Sequence, residues 1–462
     1  GKTTVCDHLL RRLTDFIPSI SATTRLPRPG EQHGTHYFFM NRDAFELAKR
    51  EGNYFLEWAE VYGKSYGTPR GPVEAKLKEG KNVLLNIDVQ GAAKVRRCGL
   101  PQVSFFLLPP SLDELRARIA RRGDAPADID RRMREAEREL SCQNEYDYRI
   151  IPDPATMFQE LRSKGVDMMG LTPLQFSRQT DTAFFKENFK KFRYPSNGYT
   201  YLGYNLKDPK FADKQVRQAL AYAINKEDIV KGVRLGLGSP ATGPYPPHYW
   251  AYNPSVRTYP YDPGKAKAML HEAGWSDTDG DGILDKDGRP FQFTIITNLG
   301  NDERKQAAEI IQQNLKAVGL DVKIKVVEWQ AFINEFVDKR QYEAIILGWS
   351  IGLDQDNYIM WHSSQTGPNQ YNFVSYSNPE VDELLIQGRR TFELEKRKAI
   401  YQKIHAILAE DQPYCFLYVP DALPVVDARF HGIKQEKAGI SYNFEKWWVP
   451  KELQRYAAAM TP

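Results

Sequence analysis

The chain has 462 residues, more than one hydrophobic core usually supports, so two or more domains are expected. Hydrophobic residues make up 41% and charged residues 26%, enough apolar surface for packed cores, which excludes general disorder. The net charge of +4 is too mild for a nucleic-acid partner, which calls for Lys and Arg clustered on one face.

In chain order, Gly1-Lys2-Thr3-Thr4 leads straight into an amphipathic helix. No initiator Met and no signal-peptide pattern precede it, so the true N-terminus is expected upstream. Asn41–Arg50 reads as a helix with an N-cap residue at its start and Gly52 beyond its end. Asn82–Asp88 and Val103–Leu108 are apolar runs without alternation, as in buried parallel strands, with a helix over Gln90–Arg97 between them. This order argues an α/β domain. Beyond residue 151, Tyr, Asn and Pro become frequent. Phe293–Thr297 and Val322–Val326 flank a helix over Glu303–Val318, a second β-α-β unit. The apolar runs are too short to span a bilayer, and no flexible linker separates the halves. The four cysteines, Cys6, Cys98, Cys142 and Cys415, share no metal-ligand spacing and read as buried thiols.

Gly1-Lys2-Thr3-Thr4 also fits the end of a phosphate loop. Lys2 would reach the β- and γ-phosphates, and Thr3 would offer its hydroxyl to Mg²⁺ at a helix N-terminus. By itself it is equally a chance run at a chain end. Ser21-Ala-Thr-Thr-Arg25-Leu-Pro-Arg28-Pro-Gly30-Glu31 holds two arginines three apart, braced by Pro27 and Pro29, which suits bidentate phosphate binding; a solvated turn is the plainer alternative. Phe55-Leu-Glu57-Trp58-Ala and Tyr66-Gly67-Thr68 add a carboxylate, a phenol and a hydroxyl. Asn86-Ile-Asp88-Val-Gln90-Gly91 ends an apolar strand, where α/β enzymes place ligand contacts.

Together these motifs resemble guanylate kinase from Gly1 to about Tyr148. The resemblance implies a GMP-binding region over about 15–70 and a lid over about 121–132. It assigns the GMP phosphate to Arg25, Arg28, Tyr37 and Tyr66, with Glu31 orienting the arginines. Glu57 would accept from guanine N1–H and the amino group, while Ser21 and Thr68 would donate to the 6-oxo group. Gly1, Lys2, Thr3 and Thr4 would hold ATP, Asp88 would act near Mg²⁺, and Arg122 and Arg132 would close over the transferring phosphoryl group. Three departures stand out, the first being that the family's first strand and most of its phosphate loop are expected ahead of Gly1 and are not in this sequence. Asn86 replaces the family's acid, and Arg149-Ile-Ile-Pro152-Asp153 stands where the family places Asn-Asp near the adenine.

Residues 149–462 hold no catalytic constellation but many aromatics beside polar residues, which suits an amphipathic binding cleft. Tyr201-Leu-Gly-Tyr-Asn205, Val216–Lys226, Gly348-Trp349-Ser350, Trp361-His-Ser-Ser364, Asn378-Pro-Glu-Val-Asp382 and Gln412-Pro-Tyr414 resemble the family-5 solute-binding proteins of peptide ABC importers. That resemblance implies peptides and an ABC permease as partners, with Trp349 and either Asp354 or Asp356 at the ligand. Asp277-Thr-Asp279-Gly-Asp281-Gly282-Ile-Leu-Asp285 matches the start of a Ca²⁺ loop, but Gly288 stands where the bidentate Glu belongs, and a polar hairpin is the plainer reading.

The expected fold is therefore α/β: a P-loop kinase-type parallel sheet with flanking helices over 1–148, followed by an incomplete periplasmic-binding-protein-type α/β lobe pair over 149–462. Three functions follow: a kinase making GDP and ADP from GMP and ATP, a peptide-binding component of an importer, or a chimera with neither activity intact. The first belongs in the cytoplasm and the second outside it.

Overall fold

The computed structural model describes residues 2–10, 13, 15–28, 30–61, 63–109, 111–120, 126–151 and 153–454. The chain divides into two compact units, 1–165 and 166–462.

The first unit begins with α1 (Lys2–Leu10), β1 (Phe16–Pro18), β2 (Ala22–Thr23), β3 (Phe38–Phe39) and α2 (Arg42–Arg50). Next come β4 (Phe55–Val61), β5 (Lys64–Pro69), α3 (Arg70–Lys78), β6 (Asn82–Leu84) and α4 (Val89–Arg96). It ends with β7 (Phe105–Leu107), α5 (Leu112–Ala120), α6 (Pro126–Ser141), β8 (Tyr148–Ile150) and α7 (Pro154–Arg162). Its local signals work as expected. Asn41 caps α2 by accepting from Ala44 N, and Asp88 caps α4 by accepting from Gly91 N. β2, β3, β4 and β5 form one sheet in the order β3-β2-β5-β4, while β1 pairs in parallel with β6 and β7 with β8. Phe45 and Ala48 of α2 pack with Ala22 and Phe55, whereas Leu56 packs with Val73 of α3 and Val95 of α4. Neighbouring residues of β4 thus serve two separate clusters.

Two strands are shorter than the apolar runs suggest. β6 stops at Leu84, and residues 85–88 leave the sheet to become the lead-in to α4. β7 keeps only the three residues that β8 can pair. The sequence around Tyr146–Pro152, where the two family resemblances meet, therefore contributes a strand to the first unit.

In the second unit the strand Gly198–Tyr204 is buried along its whole length. It pairs antiparallel with Ala344–Ser350 on one side and Tyr414–Ala422 on the other. Ala344–Ser350 continues into Gln292–Asn298, and that strand into Asp321–Val327, both in parallel. The helix Asp302–Lys316 makes the crossover that a parallel pair requires. Hydrophobic clusters cover both faces of this sheet. Arg217 is buried and satisfies main-chain carbonyls of Phe211, Ala212, Asp411 and Gln412, so one guanidinium ties together segments about 200 residues apart. None of the four cysteines is in a disulfide among the described residues; Cys415 is buried, and Cys6, Cys98 and Cys142 are half-buried. Among the described residues no helix is long and apolar enough to cross a membrane.

Candidate nucleotide site and solute cleft

Glu57 lies on β4 and is 94% shielded from solvent, its relative exposure being 6%. Thr68, opposite it on β5, donates its hydroxyl to Glu57 Oε1 at 2.6 Å. The β4–β5 register shifts between Phe55 and Glu57, an irregularity of the kind that re-aims a side chain beside a site. The other carboxylate oxygen meets α4. A Cβ built on Gly91 would stand 2.8 Å from Glu57 Oε2, so glycine is what admits the carboxylate there. Burial pushes the Glu57 carboxyl up; the Thr68 hydrogen bond pulls it down, Asp88 pushes it up and Lys94 pulls it down.

Tyr66 is two residues from Thr68 on β5, on the same face and about 7 Å along the strand. Around it lies the second group. Arg25 Nη2 donates to Glu31 Oε1 at 2.8 Å and Oε2 at 2.9 Å, and the Arg28 main-chain N–H donates to Glu31 Oε2 at 2.7 Å. The Arg25 guanidinium sits 5.4 Å from the Tyr37 ring centroid, and Tyr37 meets Tyr66 edge to face at 6.3 Å. Arg25 and the Arg28 N–H hold the Glu31 carboxyl below the usual carboxylate range, and Glu31 raises Arg25 in turn. The Arg28 side chain is exposed. Ser21 is half-buried, and its carbonyl accepts from Phe38 N at 2.9 Å, which fixes it beside β3.

Lys2 Nζ donates to the Ile87 carbonyl at 3.5 Å, which brings it to the residue before Asp88. Thr3 and Thr4 belong to α1, but their side chains, Gly1 and Arg122 lie outside the described residues. Arg132 is half-buried in α6. Motif reading passed over two contributors. Gly91 was part of a motif without a role, and Lys94 was in no motif; their spacing of three on one helix was the available signal.

In the second unit Trp349 stacks on Phe373 at 5.5 Å and meets Tyr371 edge to face at 5.9 Å. Its indole N–H donates to Tyr414 Oη at 3.4 Å. Asp354 and Asp356 both carry arginine partners. Arg397 Nη2 reaches Asp354 at 2.7 Å, and Arg389 Nε reaches Asp356 at 2.8 Å. Asp356 also accepts from Tyr358 N at 3.1 Å. In the acidic loop, ligand atoms of Asp277, Asp279 and Asp285 lie within 4.8 Å of one another, while Asp277 already accepts from Gly280 N and Gly282 N. The short hairpin Asp285–Lys286 and Arg289–Pro290 follows.

The family model for guanylate kinase matches residues 1–156, and the model for bacterial extracellular solute-binding proteins, family 5 middle, matches residues 144–371. The guanylate kinase of Clostridium perfringens is 46% identical over 154 residues, 33% of this chain and 71% of that protein. The oligopeptide-binding protein AppA of Bacillus subtilis is 37% identical over 307 residues, 66% of this chain but only 56% of its own length. The solved structure of that AppA, in complex with a nonapeptide, superimposes with a TM-score of 0.59 at 36% identity, covering 66% of this chain and 60% of that one. NikZ from Campylobacter jejuni, in complex with Ni(L-His), gives a TM-score of 0.58 at 29% identity, over 65% and 61%. The chain belongs to the guanylate kinase family through its first third, and residues 144–371 match the model of the family-5 solute-binding proteins.

Proposed function

We propose that residues 1–148 bind GMP and transfer to it the γ-phosphoryl group of ATP, giving GDP and ADP. The observation that carries this reading is the arrangement along β5, with the buried Glu57–Thr68 pair at one end and the Arg25–Glu31–Tyr37–Tyr66 group at the other. An ionised Glu57 accepts from both guanine donors, N1–H and the amino group, while Thr68 and Ser21 face the 6-oxo group. Adenine would leave these buried polar groups unpaired and is rejected for that reason. Arg25, Arg28, Tyr37 and Tyr66 hold the acceptor phosphate in place. Phosphoryl transfer needs positioning and charge stabilisation more than covalent help. Lys2, Arg122 and Arg132 supply positive charge to the phosphates, and Gly1, Thr3 and Thr4 complete the ATP end. Lys2 reaching the Ile87 carbonyl, one residue before Asp88, brings a cation and an acid to the lead-in to α4, a set that suits a nucleotide phosphate with Mg²⁺. Thr3 would hold that ion, with Asp88 near it or its water shell; when bound, the ion neutralises phosphate charge. A coupled assay of ADP release, with GMP, AMP or no acceptor, tests the reading. GMP-dependent turnover is expected, and turnover indifferent to GMP would eliminate it.

A second reading concerns residues 149–462, as the peptide-binding component of an ABC importer. The aromatic shelf of Trp349, Phe373 and Tyr371, together with the likeness to AppA, supports it. Trp349, Asp354 and Asp356 are its candidate contacts, and a permease is its partner. A rise in the second unit's melting temperature with added peptide is the expected sign. The kinase reading places the chain in the cytoplasm with ATP, and the binding reading places it outside. A chimera with neither activity intact predicts silence in both assays.

A further inference from the structure

Gly91 and Lys94 are three apart on α4, hence on one face of the helix, and α4 packs against β4. Gly91 makes room for Glu57 Oε2. One turn further on, Lys94 Nζ donates to the carbonyl oxygen of Trp58, the residue after Glu57, and lies 3.8 Å from the centroid of the Trp58 ring. Lys49 of α2 lies 3.9 Å from the same centroid. The two lysines differ in what else they touch. Lys49 pairs with Glu46 at 3.4 Å, whereas Lys94 gives its hydrogen bond to a main-chain oxygen. The Lys94 charge is therefore available to Glu57.

Burial and three groups on the elements packed around it act on the Glu57 carboxyl. Burial and Asp88 favour its neutral form; the Thr68 hydroxyl of β5 and Lys94 of α4 favour the anion. The balance decides what the pocket reads. An anionic carboxylate accepts twice, matching the two donors on guanine's edge. A protonated carboxyl offers one donor and one acceptor, which matches the N1 acceptor and amino donor of adenine. We infer that Lys94 is a positioning residue for Glu57, pinning its strand neighbour and keeping the carboxylate doubly accepting, so that it enforces guanine over adenine. The inference rests on the guanine-pocket reading above.

The test is calorimetric binding of GMP and AMP to the full chain and to Lys94→Met, Lys94→Arg and Lys49→Met across mildly acidic to mildly alkaline pH. Lys94→Met is expected to bind GMP about tenfold more weakly near pH 6, with the gap closing as pH rises and with AMP binding not weakened. Lys94→Arg keeps the charge and should follow the unsubstituted chain, as should Lys49→Met. Superimposed GMP curves for Lys94→Met and the unsubstituted chain would overturn the inference. So would an equal loss at every pH, the mark of a merely structural role. Failure of the unsubstituted chain to bind GMP at any pH overturns the pocket reading itself, and this inference with it.

Discussion

Arg25 and Glu31 are joined through a single guanidinium nitrogen, Nη2, which reaches both carboxylate oxygens at 2.8 and 2.9 Å. Glu31 also takes the Arg28 main-chain N–H, so one acid fixes the geometry of both arginines in the Pro-braced segment. The pair is partly exposed, with side-chain exposures of 16% and 19%. Exposed and partly exposed ion pairs contribute little to stability, so under the GMP proposal this one would serve to pre-organise the phosphate site. Glu31→Gln should leave the melting temperature nearly unchanged while raising the KM for GMP roughly tenfold, with a smaller effect on kcat. Equal KM values for the two proteins would contradict this. Because its partners hold the Glu31 carboxyl below the usual range, the effect of the pair should persist into mildly acidic buffer.

Glu57 predicts a trade between stability and binding. Its carboxyl is pushed up by burial, so the folded state prefers the protonated form more than the unfolded chain does. Its contribution to stability is thus present at low pH and lost as pH rises through the folded value. Glu57→Gln keeps the acceptor for Thr68 and removes the buried charge. It should raise the melting temperature of the first unit in neutral buffer, yet cost roughly a hundredfold in kcat/KM for GMP. Gly91→Ala should weaken GMP binding in the same direction by crowding Glu57 Oε2. Paired thermal melts and steady-state kinetics read both outcomes.

Asp354 and Asp356 should separate in the second unit. Asp356 is tied to Arg389 and to the Tyr358 main chain, whereas Asp354 is 63% exposed and, among the described residues, is held by Arg397. Asp356→Asn should lower the melting temperature without ligand. Asp354→Asn should change the unfolding free energy by less than about 0.5 kcal/mol and reduce the melting shift produced by peptides with a free amino terminus. An N-acetylated peptide should behave identically with both proteins, and a free-amine peptide whose shift is also unchanged by Asp354→Asn would argue against Asp354 as the amine contact.

His405 makes the second unit's stability depend on pH. The imidazole is fully buried, accepts from Asn253 N at Nδ1 (3.1 Å), and burial lowers it from 6.5 to about 4. The unfolded chain takes up a proton near pH 6.5 that the fold refuses until about pH 4. Stability from this group is whole above 6.5 and falls as pH drops through that window, by on the order of 3 kcal/mol in total. Denaturant melts of the chain and of His405→Gln at several pH values check this. The substituted protein should show a shallower loss between those limits, and parallel slopes would contradict it.

Short-range signals were legible in the residues themselves. Asn41 before an amphipathic run made a capped helix, and the apolar stripe of 303–318 became the crossover helix Asp302–Lys316. The motif spacing brought Arg25 to Glu31 and Glu57 to Thr68. The run Asn82–Asp88 was overread as one strand because apolarity alone does not mark where pairing ends. Pairing ends at Leu84, freeing Ile87 and Asp88 to meet Lys2 and cap α4.

The sequence by itself determined the likeness to two families, their order along the chain and the residue types that the GMP proposal relies on, because capping, strand alternation and motif spacing act over a few residues. Only the tertiary structure decided that Lys94 rests on Trp58 beside Glu57, that Gly91 shapes the carboxylate's seat, and that Asp354 and Asp356 hold arginines 43 and 33 residues away. The physical reason is range: the state of a buried acid and the partner of a surface one are set by whatever the fold packs against them, and no local pattern encodes that.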